Sequence, residues 1–382
     1  MRTMKKVFFA AAFAAVLSAC CSAPGVELTV SNPLAADRNA EVVEVAWADV
    51  AAGLAGLTPE NVVVLDAQGA QVPSQAVFYG DTVPRTLIFE ATVPASGQST
   101  YKVVEGVREE YPVKAYGRYV PERADDYAWE NNMVAYRLYG PALETTPKEM
   151  LVTPGIDVWV KSTEKMVIDE RYKRGHYHTN YGDGMDCYKV GRTLGAGACA
   201  PFVDGKLWMS RNYATQQNLD NGPLRTTVKL TYAPFAAGED SVSLVKYISL
   251  DANTPFTKMT NIYSGDFETM PVAAGVVMHD VKGKFTSDTY AGITEAASDS
   301  KQPEEDGDIS LAVIMPAADS SLEAEGHMLT VGQARNGQPL VYYIGSGWSG
   351  ASVPDVTVWE GVVKDAAQKI ANPMTVTVKA GK

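Results

Sequence analysis

Runs in which apolar and polar residues alternate recur along most of the chain. The alternation is clear in residues 26–30, 43–47, 226–232 and 242–248, and turn-forming residues separate the runs. Because successive side chains of a strand point to opposite faces of a sheet, a period of two predicts strands with one buried face. Long helical patterns are few, so the chain is predicted to be all-β.

Strand length divides the chain into two predicted regions. Residues 26–108 contain short strands between turn signals, which suits an antiparallel β-sandwich module. Residues 109–382 contain longer alternating runs with few crossovers. Long antiparallel strands favour a large sandwich of two curved sheets over a doubly wound fold. We therefore predict an antiparallel supersandwich that carries the catalytic-type site.

One helix stands out near the end of the chain. Pro354 is predicted to begin it, Asp355 lies near its positive end, and Asn372-Pro373 stops it. Its apolar positions recur at helical spacing, at Val358, Trp359, Val362, Val363, Ala366 and Ile370. Residues 374–378 are predicted to form a closing strand.

The first residues predict export and lipidation. Basic residues precede an apolar run at 7–17 that is too short to span a bilayer, and the small-residue pattern Leu17-Ser18-Ala19-Cys20 follows. We predict a signal peptide at residues 1–19 and a lipidated tether at residues 20–25, acylated at Cys20. An ordinary signal peptide with a chance cysteine is the alternative. Because no acidic run follows Cys20, we expect a lipid-anchored protein that faces the periplasm rather than the cell surface.

Charge and cysteine content limit the partners. The chain has a formal net charge of −12. An acidic surface repels phosphate, so nucleic acid is not an expected partner, and recognition of an acidic sugar needs a local basic pocket. Away from the lipidation site, Cys187 and Cys199 either form one disulfide or are two small buried residues. We predict no cofactor and no four-cysteine zinc framework.

Six segments of the chain resemble one protein family. They are residues 118–123, 129–131, 155–160, 177–178, 184–191 and 345–349, with the sequences RYVPER, WEN, GIDVWV, YH, GMDCYKVG and GSGWS. They resemble the Bacteroidetes family catalogued as domain of unknown function 4861, over about residues 115–380. The resemblance implies a carbohydrate context, because members look similar to supersandwich domains of aldose mutarotases and certain polysaccharide lyases and occur beside enzymes for uronic-acid glycans. The chain departs from the family pattern at residues 180–183.

Candidate catalytic residues concentrate between residues 169 and 199. His176 and His178 are two apart, so on a strand both imidazoles would share one face. Arginines and tyrosines surround them, and glycines permit tight turns there. The predicted catalytic residues are His178, Tyr181, Arg174, Tyr188 and His176.

A second set of residues is predicted to contact the substrate: Arg118, Trp129, Glu130, Asn131, Arg137, Asp183, Asp186, His279 and Trp348. Several of these residues also have a purely structural explanation. Asp183 and Asp186 lie next to glycines, where aspartate is an ordinary turn residue. The segment 129–131 suits a sandwich core equally well, and an isolated histidine such as His279 is more often structural. His327 is expected to be exposed.

Three function classes compete for these residues. β-Elimination on a uronate, by a lyase or dehydratase, needs a cation, a base and an acid, which are available at Arg171 or Arg174, His178, and Tyr181 or Tyr188. A hydrolase or mutarotase would use a carboxylate with an acid partner, from Glu130, Asp183, Asp186 and His279. A glycan-binding protein would use aromatic platforms at Trp129, Tyr136, Trp208 and Trp348.

We favour elimination on a uronic-acid-containing oligosaccharide. Histidine, tyrosine and arginine cluster in one segment, whereas no pair of carboxylates is comparably marked. A metal ion held by His176, His178 and Asp183 is a further alternative.

Overall fold

The computed structural model describes residues 24–379. The N-terminal part of these residues is a small sandwich of two sheets. The predicted signal and Cys20 lie outside the described residues. The strands of this module are β1 Val26–Ser31, β2 Arg38–Ala46, β3 Val62–Leu65, β4 Gln71–Val72, β5 Ser74–Val77, β6 Thr86–Val93 and β7 Gln98–Glu105. One sheet has the order β1-β7-β3-β4 and the other β2-β6-β5, and helix α1, Trp47–Ala51, follows β2. Alternate residues of β1 are buried between the sheets, as the period of two predicts.

Three antiparallel sheets build the larger region. The first contains β8 Ala115–Val120, β9 Asp126–Asn131, β10 Ala135–Leu138, β11 Ile156–Lys161 and β12 Gly184–Asp186, with helix α2, Ile168–Arg174, between β11 and β12. The other strands are β13 Ala196–Val203, β14 Lys206–Leu207, β15 Thr215–Asn221, β16 Arg225–Ala237, β17 Asp240–Asp251, β18 Phe256–Gly265, β19 Thr269–Val277, β20 Val281–Thr286, β21 Tyr290–Ala296, β22 Asp308–Ile314, β23 Ala318–Ala324, β24 His327–Arg335 and β25 Pro339–Trp348; helix α3 is Pro303–Asp306.

The main core lies between these sheets. Their orders are β12-β11-β10-β9-β8, β14-β13-β19-β24-β23 and β15-β16-β17-β18-β25-β22-β21-β20. Along β17 every second residue from Val242 to Leu250 is buried, and Val242, Leu244 and Ile248 are among those that join the core. The alternation read from the sequence therefore marks the buried faces correctly, and the predicted all-β sandwich class is confirmed.

The predicted C-terminal helix is present as α4, Val356–Ala371. Asp355 is its N-cap, because the Asp355 carboxylate accepts from the backbone N–H groups of Thr357 at 2.9 Å and Val358 at 3.0 Å. The closing strand β26, Thr375–Lys379, pairs with β1, so both ends of the described chain share one sheet of the N-terminal module. No helix within residues 24–379 is long and apolar enough to cross a membrane.

His327 is not exposed, contrary to the sequence-based expectation. It begins β24 and keeps 2% of its surface exposed. Its Nε2 accepts from the backbone N–H of Leu194 at 3.1 Å, and its Nδ1 donates to the carbonyl of Glu325 at 2.7 Å. Both ring nitrogens form hydrogen bonds within the protein. The imidazole is therefore buried as a structural link at the start of β24. Burial lowers the pKa of His327.

The two cysteines resolve the alternatives that the sequence left open. Cys187 and Cys199 are both buried and unbridged. They therefore fill core positions, and burial raises the pKa of both thiols.

Candidate active site

The sheet β12-β11-β10-β9-β8 has an apolar face and a polar face. Its apolar face packs on the main core through residues such as Tyr136, Val158 and Met185. Because side chains alternate along a strand, the residues between them point the other way. Arg137 and Asp157 are two of these, and both are buried. A second layer of the protein therefore covers the polar face.

Three carboxyl groups surround Arg137. Its Nε donates to Oδ2 of Asp157 at 3.0 Å, and its Nη2 donates to Asp157 and, at 2.9 Å, to Oδ2 of Asp186. Oδ2 of Asp126 lies 3.7 Å from Nη1 of Arg137. The other oxygen of each carboxyl, Oδ1, has no partner among residues 24–379. One guanidinium thus ties together acids from three neighbouring strands.

Burial raises the pKa of all three carboxyl groups. Loss of water raises the pKa of Asp126 to about 6, against the opposing charges of Arg137 and Arg123. Burial also raises the pKa of Asp157 and, well beyond its usual range, that of Asp186, to which the charge of Asp157 adds. One guanidinium cannot neutralise three buried carboxylates. The carboxyl groups of the cluster therefore hold their protons to higher pH than exposed carboxyl groups do, as catalytic acids often do.

Aromatic side chains enclose the guanidinium of Arg137. The hydroxyl oxygen of Tyr177 accepts from Nη1 of Arg137 at 3.4 Å and from Nε of Arg123 at 3.1 Å. The hydroxyl of Tyr139 donates to Oδ2 of Asp157 at 3.2 Å. The ring of Trp159 lies 5.4 Å from the guanidinium carbon of Arg137 and stacks on the ring of Tyr177 at 5.2 Å. Because the Tyr177 oxygen accepts two N–H groups, its own hydrogen is free to be donated.

Helix α2 forms the first part of the covering layer. It begins where the carboxylate of Glu130, on β9, accepts from the backbone N–H groups of Val167 and Ile168, each at 2.8 Å. The ammonium group of Lys161 donates to the same carboxylate at 2.8 Å, and both side chains are fully buried. A negative charge at a helix N-terminus is favourable, so Glu130 is explained by helix capping.

The segment 175–183 completes the cover between α2 and β12. Gly175 ends the helix in the left-handed conformation, with φ of 73°. At Gly184, where the chain re-enters the sheet, a Cβ atom would lie 2.1 Å from the carbonyl oxygen of Val160. A side chain there would push the cover away from the strand, so the close approach requires glycine.

His178 lies in this covering segment at the rim of the cluster. Its side chain is 51% exposed. Its Nδ1 is 3.0 Å from the carbonyl oxygen and 3.8 Å from Oδ2 of Asp186, and its ring contacts that of Tyr177 at 4.8 Å. His178 therefore joins the buried cluster to solvent.

Arg174, Asp183 and Tyr181 form a surface group in the same cover. Nη2 of Arg174 donates to Oδ2 of Asp183 at 3.0 Å, and its guanidinium carbon lies 4.3 Å from the centre of the Tyr181 ring. His176 is exposed and, like His178, lies in a loop, so their spacing gives them no shared strand face. Within residues 24–379 no three His, Cys, Asp or Glu side chains are arranged to hold a metal ion.

The other predicted substrate-contacting residues lie in structural contacts. Trp129 is buried and its indole N–H donates to Oγ1 of Thr257 at 3.2 Å. Asn131 is buried and donates to the carbonyl of Asp251 at 2.6 Å. These positions face the core and present no ring or amide to a ligand in this structure.

Trp348 and Arg118 are likewise engaged. The indole N–H of Trp348 donates to the carbonyl of Asp306 at 2.7 Å. Arg118 forms ion pairs of 2.6 Å with Glu122 and Asp169. Tyr188 and His279 lie against each other, with ring centres 5.6 Å apart.

Four residues complete the cluster without having been predicted as site residues: Arg123, Asp126, Asp157 and Tyr177. A sequence signal existed for Asp157, because it is the one charged residue of the otherwise apolar run at 156–160. A charge inside a fully buried strand needs a partner, and such partners lie on neighbouring strands. Arg123, Asp157 and Tyr177 also lie within the segments that carry the family resemblance.

Solved structures with a similar fold include two from Enterococcus faecalis. An α-mannosidase from strain V583 aligns with a TM-score of 0.50 and 8% identity, covering 94% of this chain and 46% of that one. A protein of glycosyl hydrolase family 38 aligns with a TM-score of 0.53 and 8% identity, covering 94% and 48%. The chain spans about half the length of these structures. At this identity the likeness shows a shared sandwich fold.

Sequence comparison identifies a relative along the whole length. Uncharacterized protein P7 of Formosa agariphila is 29% identical over 405 residues, covering 99% of this chain and all of that protein. Residues 30–376 match the family described as Domain of unknown function (DUF4861). The match includes the N-terminal module as well as the larger region, so the resemblance seen from residue 115 onward extends farther. This chain belongs to the DUF4861 family.

Proposed function

We propose that the protein is a carbohydrate-active enzyme that acts on uronic-acid-containing oligosaccharides by β-elimination. The observation that carries the proposal is the position of His178, half-exposed and hydrogen-bonded to Asp186 at the rim of a buried cluster of arginine, tyrosine and carboxyl groups. Elimination needs a base, a cation that neutralises the sugar carboxylate, and a proton donor.

His178 supplies the base. A carbonyl oxygen accepts hydrogen bonds and cannot donate them, so the contact with Asp186 places the hydrogen of the neutral imidazole on Nδ1. The lone pair is then on Nε2, for which residues 24–379 provide no hydrogen-bond partner. Nε2 is free to accept the proton α to the sugar carboxylate.

Two arginines near the rim can receive the sugar carboxylate. The side chain of Arg123 is 29% exposed and bonded to the Tyr177 hydroxyl, and that of Arg174 is 26% exposed. Each forms one ion pair with an acid, Glu149 and Asp183 respectively, so each guanidinium keeps further N–H groups for a substrate. Arg171, the third candidate, is buried under the cover.

The tyrosines predicted as proton donors are less directly placed. Tyr188 is buried, and Tyr181 lies at the surface against Arg174. The proton for the leaving oxygen therefore needs another donor near the rim of the cluster.

The fold supports a carbohydrate substrate by analogy. The two solved structures of similar fold are an α-mannosidase and a protein of glycosyl hydrolase family 38. A fold hosts many activities, so this likeness supports a carbohydrate substrate and says nothing about the reaction, which is argued from the site.

Hydrolysis or mutarotation through carboxyl groups is the second candidate. The raised pKa values of Asp126 and Asp186 favour it, since a carboxyl that keeps its proton can act as a general acid. Both side chains are only 1% exposed, however, whereas that of His178 is 51% exposed. Contact with a substrate therefore favours His178.

The test is to incubate the purified protein with a panel of uronic-acid oligosaccharides and to follow products by mass spectrometry and absorbance. Elimination forms a carbon–carbon double bond conjugated with the carboxylate, which absorbs near about 230 nm. Cleavage without added water, or loss of water, together with this chromophore supports the proposal. Products that have gained water without the chromophore identify a hydrolase, and binding without turnover identifies a glycan-binding protein.

A further inference from the structure

A histidine and a buried carboxylate form a second centre beside the cluster. His279 follows β19, and Glu295 lies on β21. Nδ1 of His279 is 2.7 Å from Oε1 of Glu295, and the backbone N–H of His279 donates to Oε2 at 2.9 Å. Glu295 is fully buried, and both its oxygens are bonded to the same residue. The imidazole therefore has a fixed position and a fixed orientation.

The free nitrogen of His279 is available for proton transfer. The side chain is 22% exposed, and Nε2 has no hydrogen-bond partner within the described residues. A carboxylate bonded to Nδ1 holds the ring in place and stabilises the imidazolium that forms when Nε2 carries a proton.

The contrast with His327 separates this arrangement from a structural crosslink. His327 is buried and uses both ring nitrogens within the protein, through Leu194 and Glu325. His279 uses one nitrogen, leaves the other without a partner among the described residues, and has a partly exposed side chain. His279 can therefore exchange a proton at Nε2, which His327 cannot.

Tyr188 connects this centre to the Arg137 cluster. Its ring meets the His279 ring edge-on at 5.6 Å, and it follows Asp186 by two residues. Its hydroxyl is buried and has no partner among residues 24–379. Burial raises the pKa of Tyr188, and the charges of Glu295 and Asp157 add to the shift, so acids of both centres act on its hydroxyl. His178 and His279 thus flank the short stretch 186–188.

We propose that His279, positioned by Glu295, donates the proton to the leaving oxygen in the elimination. The assignment rests on the proposed function. His178 takes the proton from the carbon α to the carboxylate, the electron pair of that C–H bond forms the new double bond, and the C–O bond breaks with its pair on oxygen. The Nε2–H bond of His279 breaks as the O–H bond of the leaving group forms. His178 gains the proton that His279 loses, so charge balances.

The experiment compares two uronate substrates that differ in the leaving group at the β-position. One is the natural sugar hydroxyl, which needs a proton to leave, and the other is a nitrophenolate, which leaves without one. The variants are His279→Gln, Glu295→Gln and His178→Ala. The matched control is Asp280→Asn, which removes an exposed charge next to His279.

We expect His279→Gln to lose roughly a hundredfold or more on the sugar substrate and little on the nitrophenyl substrate, because general acid catalysis is typically worth that much. Glu295→Gln should show the same selective loss to a smaller extent, which also serves if His279→Gln fails to fold. His178→Ala should lose activity on both substrates.

Two kinds of result would contradict the role proposed for His279, and they differ in what they say about the proposed function. The role of His279 is overturned if His279→Gln and Glu295→Gln lose equal activity on both substrates, or lose none. In that case elimination by the wild type leaves the proposed function intact. A wild type that forms the conjugated double bond from neither substrate overturns the proposed function itself and this assignment with it.

Discussion

Asp186 binds His178 through its backbone and Arg137 through its side chain. The carbonyl oxygen of Asp186 is 3.0 Å from Nδ1 of His178, and its carboxyl receives Nη2 of Arg137 at 2.9 Å. The half-exposed imidazole is therefore fixed to a buried, charged cluster. Through Asp186, the position of the proposed base depends on how the cluster below it is packed.

His178→Ala is expected to lower elimination activity at least about a hundredfold, because the variant lacks the group that accepts the proton. Its free energy of unfolding should change little, since the side chain is half-exposed and bonds to one carbonyl. Lys173→Ala on the exposed side of α2 is the matched control and should keep full activity. Initial rates and urea unfolding measure both effects. Full activity in His178→Ala would transfer the role of base to another group.

Arg137→Met is expected to destabilise the protein by about 3–5 kcal/mol at neutral pH, because it leaves three carboxyl groups buried without their cation. The loss should shrink in mild acid, where the carboxyl groups take up protons. Urea unfolding at both pH values measures it. Arg211→Ala, whose exposed guanidinium pairs with Glu144, is the control and should change stability little. An equal loss at both pH values would mean that packing, and not charge, dominates at Arg137.

The fold could be predicted from the sequence where a periodic pattern of apolar residues marks the buried face of a strand or helix. Alternation in β17 and helical spacing in α4 both reflect burial of one face, which depends on neighbouring residues in sequence. The pairing of β26 with β1 joins residues at opposite ends of the described chain. Nothing local specifies such a partner, because any strand of matching pattern would satisfy the same rule.

The site was predictable in part. The sequence selected His178, Arg137 and Asp186, which the structure brings together, because charged and titratable residues stood out in aromatic or glycine-rich surroundings. It also selected Glu130 and Trp129, which cap a helix and fill the core. A carboxylate that caps a helix far away in sequence and one that binds substrate look identical in a sequence. The difference lies in the partner, which only the fold supplies.

Asp126→Asn should remove part of the pH dependence of stability. The pKa of Asp126 is raised from 3.8 to about 6 by burial, so the folded state binds a proton that the unfolded state releases between these values. The free energy of unfolding therefore falls as the pH rises from about 4 to 6, and less so in the variant. The amide still accepts the hydrogen bond of the Tyr172 hydroxyl. Urea unfolding across this range measures how steeply the free energy of unfolding falls with pH. An equally steep fall in Asp126→Asn would show that ionisation of Asp126 does not cause it.

Cys20→Ala tests the proposed export route, which rests on the pattern at residues 17–20. We propose that acylated Cys20 holds the protein on a membrane, facing the periplasm. The variant should fail to incorporate labelled palmitate and should leave the detergent phase. Ser22→Ala, close to the same site, should still be acylated. Palmitate in the Cys20→Ala protein would show that the lipid is attached elsewhere, and a wild type without palmitate would show that the segment is an ordinary signal.

Lys246 is an isolated cation in the main core. It lies on β17 with 1% of its surface exposed, and its ammonium group is 5.1 Å from the centre of the Tyr232 ring. Within residues 24–379 it has no ion pair with a carboxylate. Burial lowers its pKa to about 8, so most molecules near neutral pH hold a positive charge without a counter-ion.

Lys246→Met should therefore stabilise the protein at neutral pH, because an apolar chain of similar length removes the buried charge. In the wild type the folded state gives up the proton near pH 8, whereas the unfolded state keeps it to its ordinary value of 10.5. The free energy of unfolding should then rise with pH across that interval by about 3 kcal/mol, and this rise should be absent in Lys246→Met. Lys229→Met on β16, which is partly exposed, is the control and should keep the rise. Urea unfolding at several pH values decides it: a wild-type curve that is flat between pH 8 and 10.5 would mean that the ammonium group reaches water or a partner in solution.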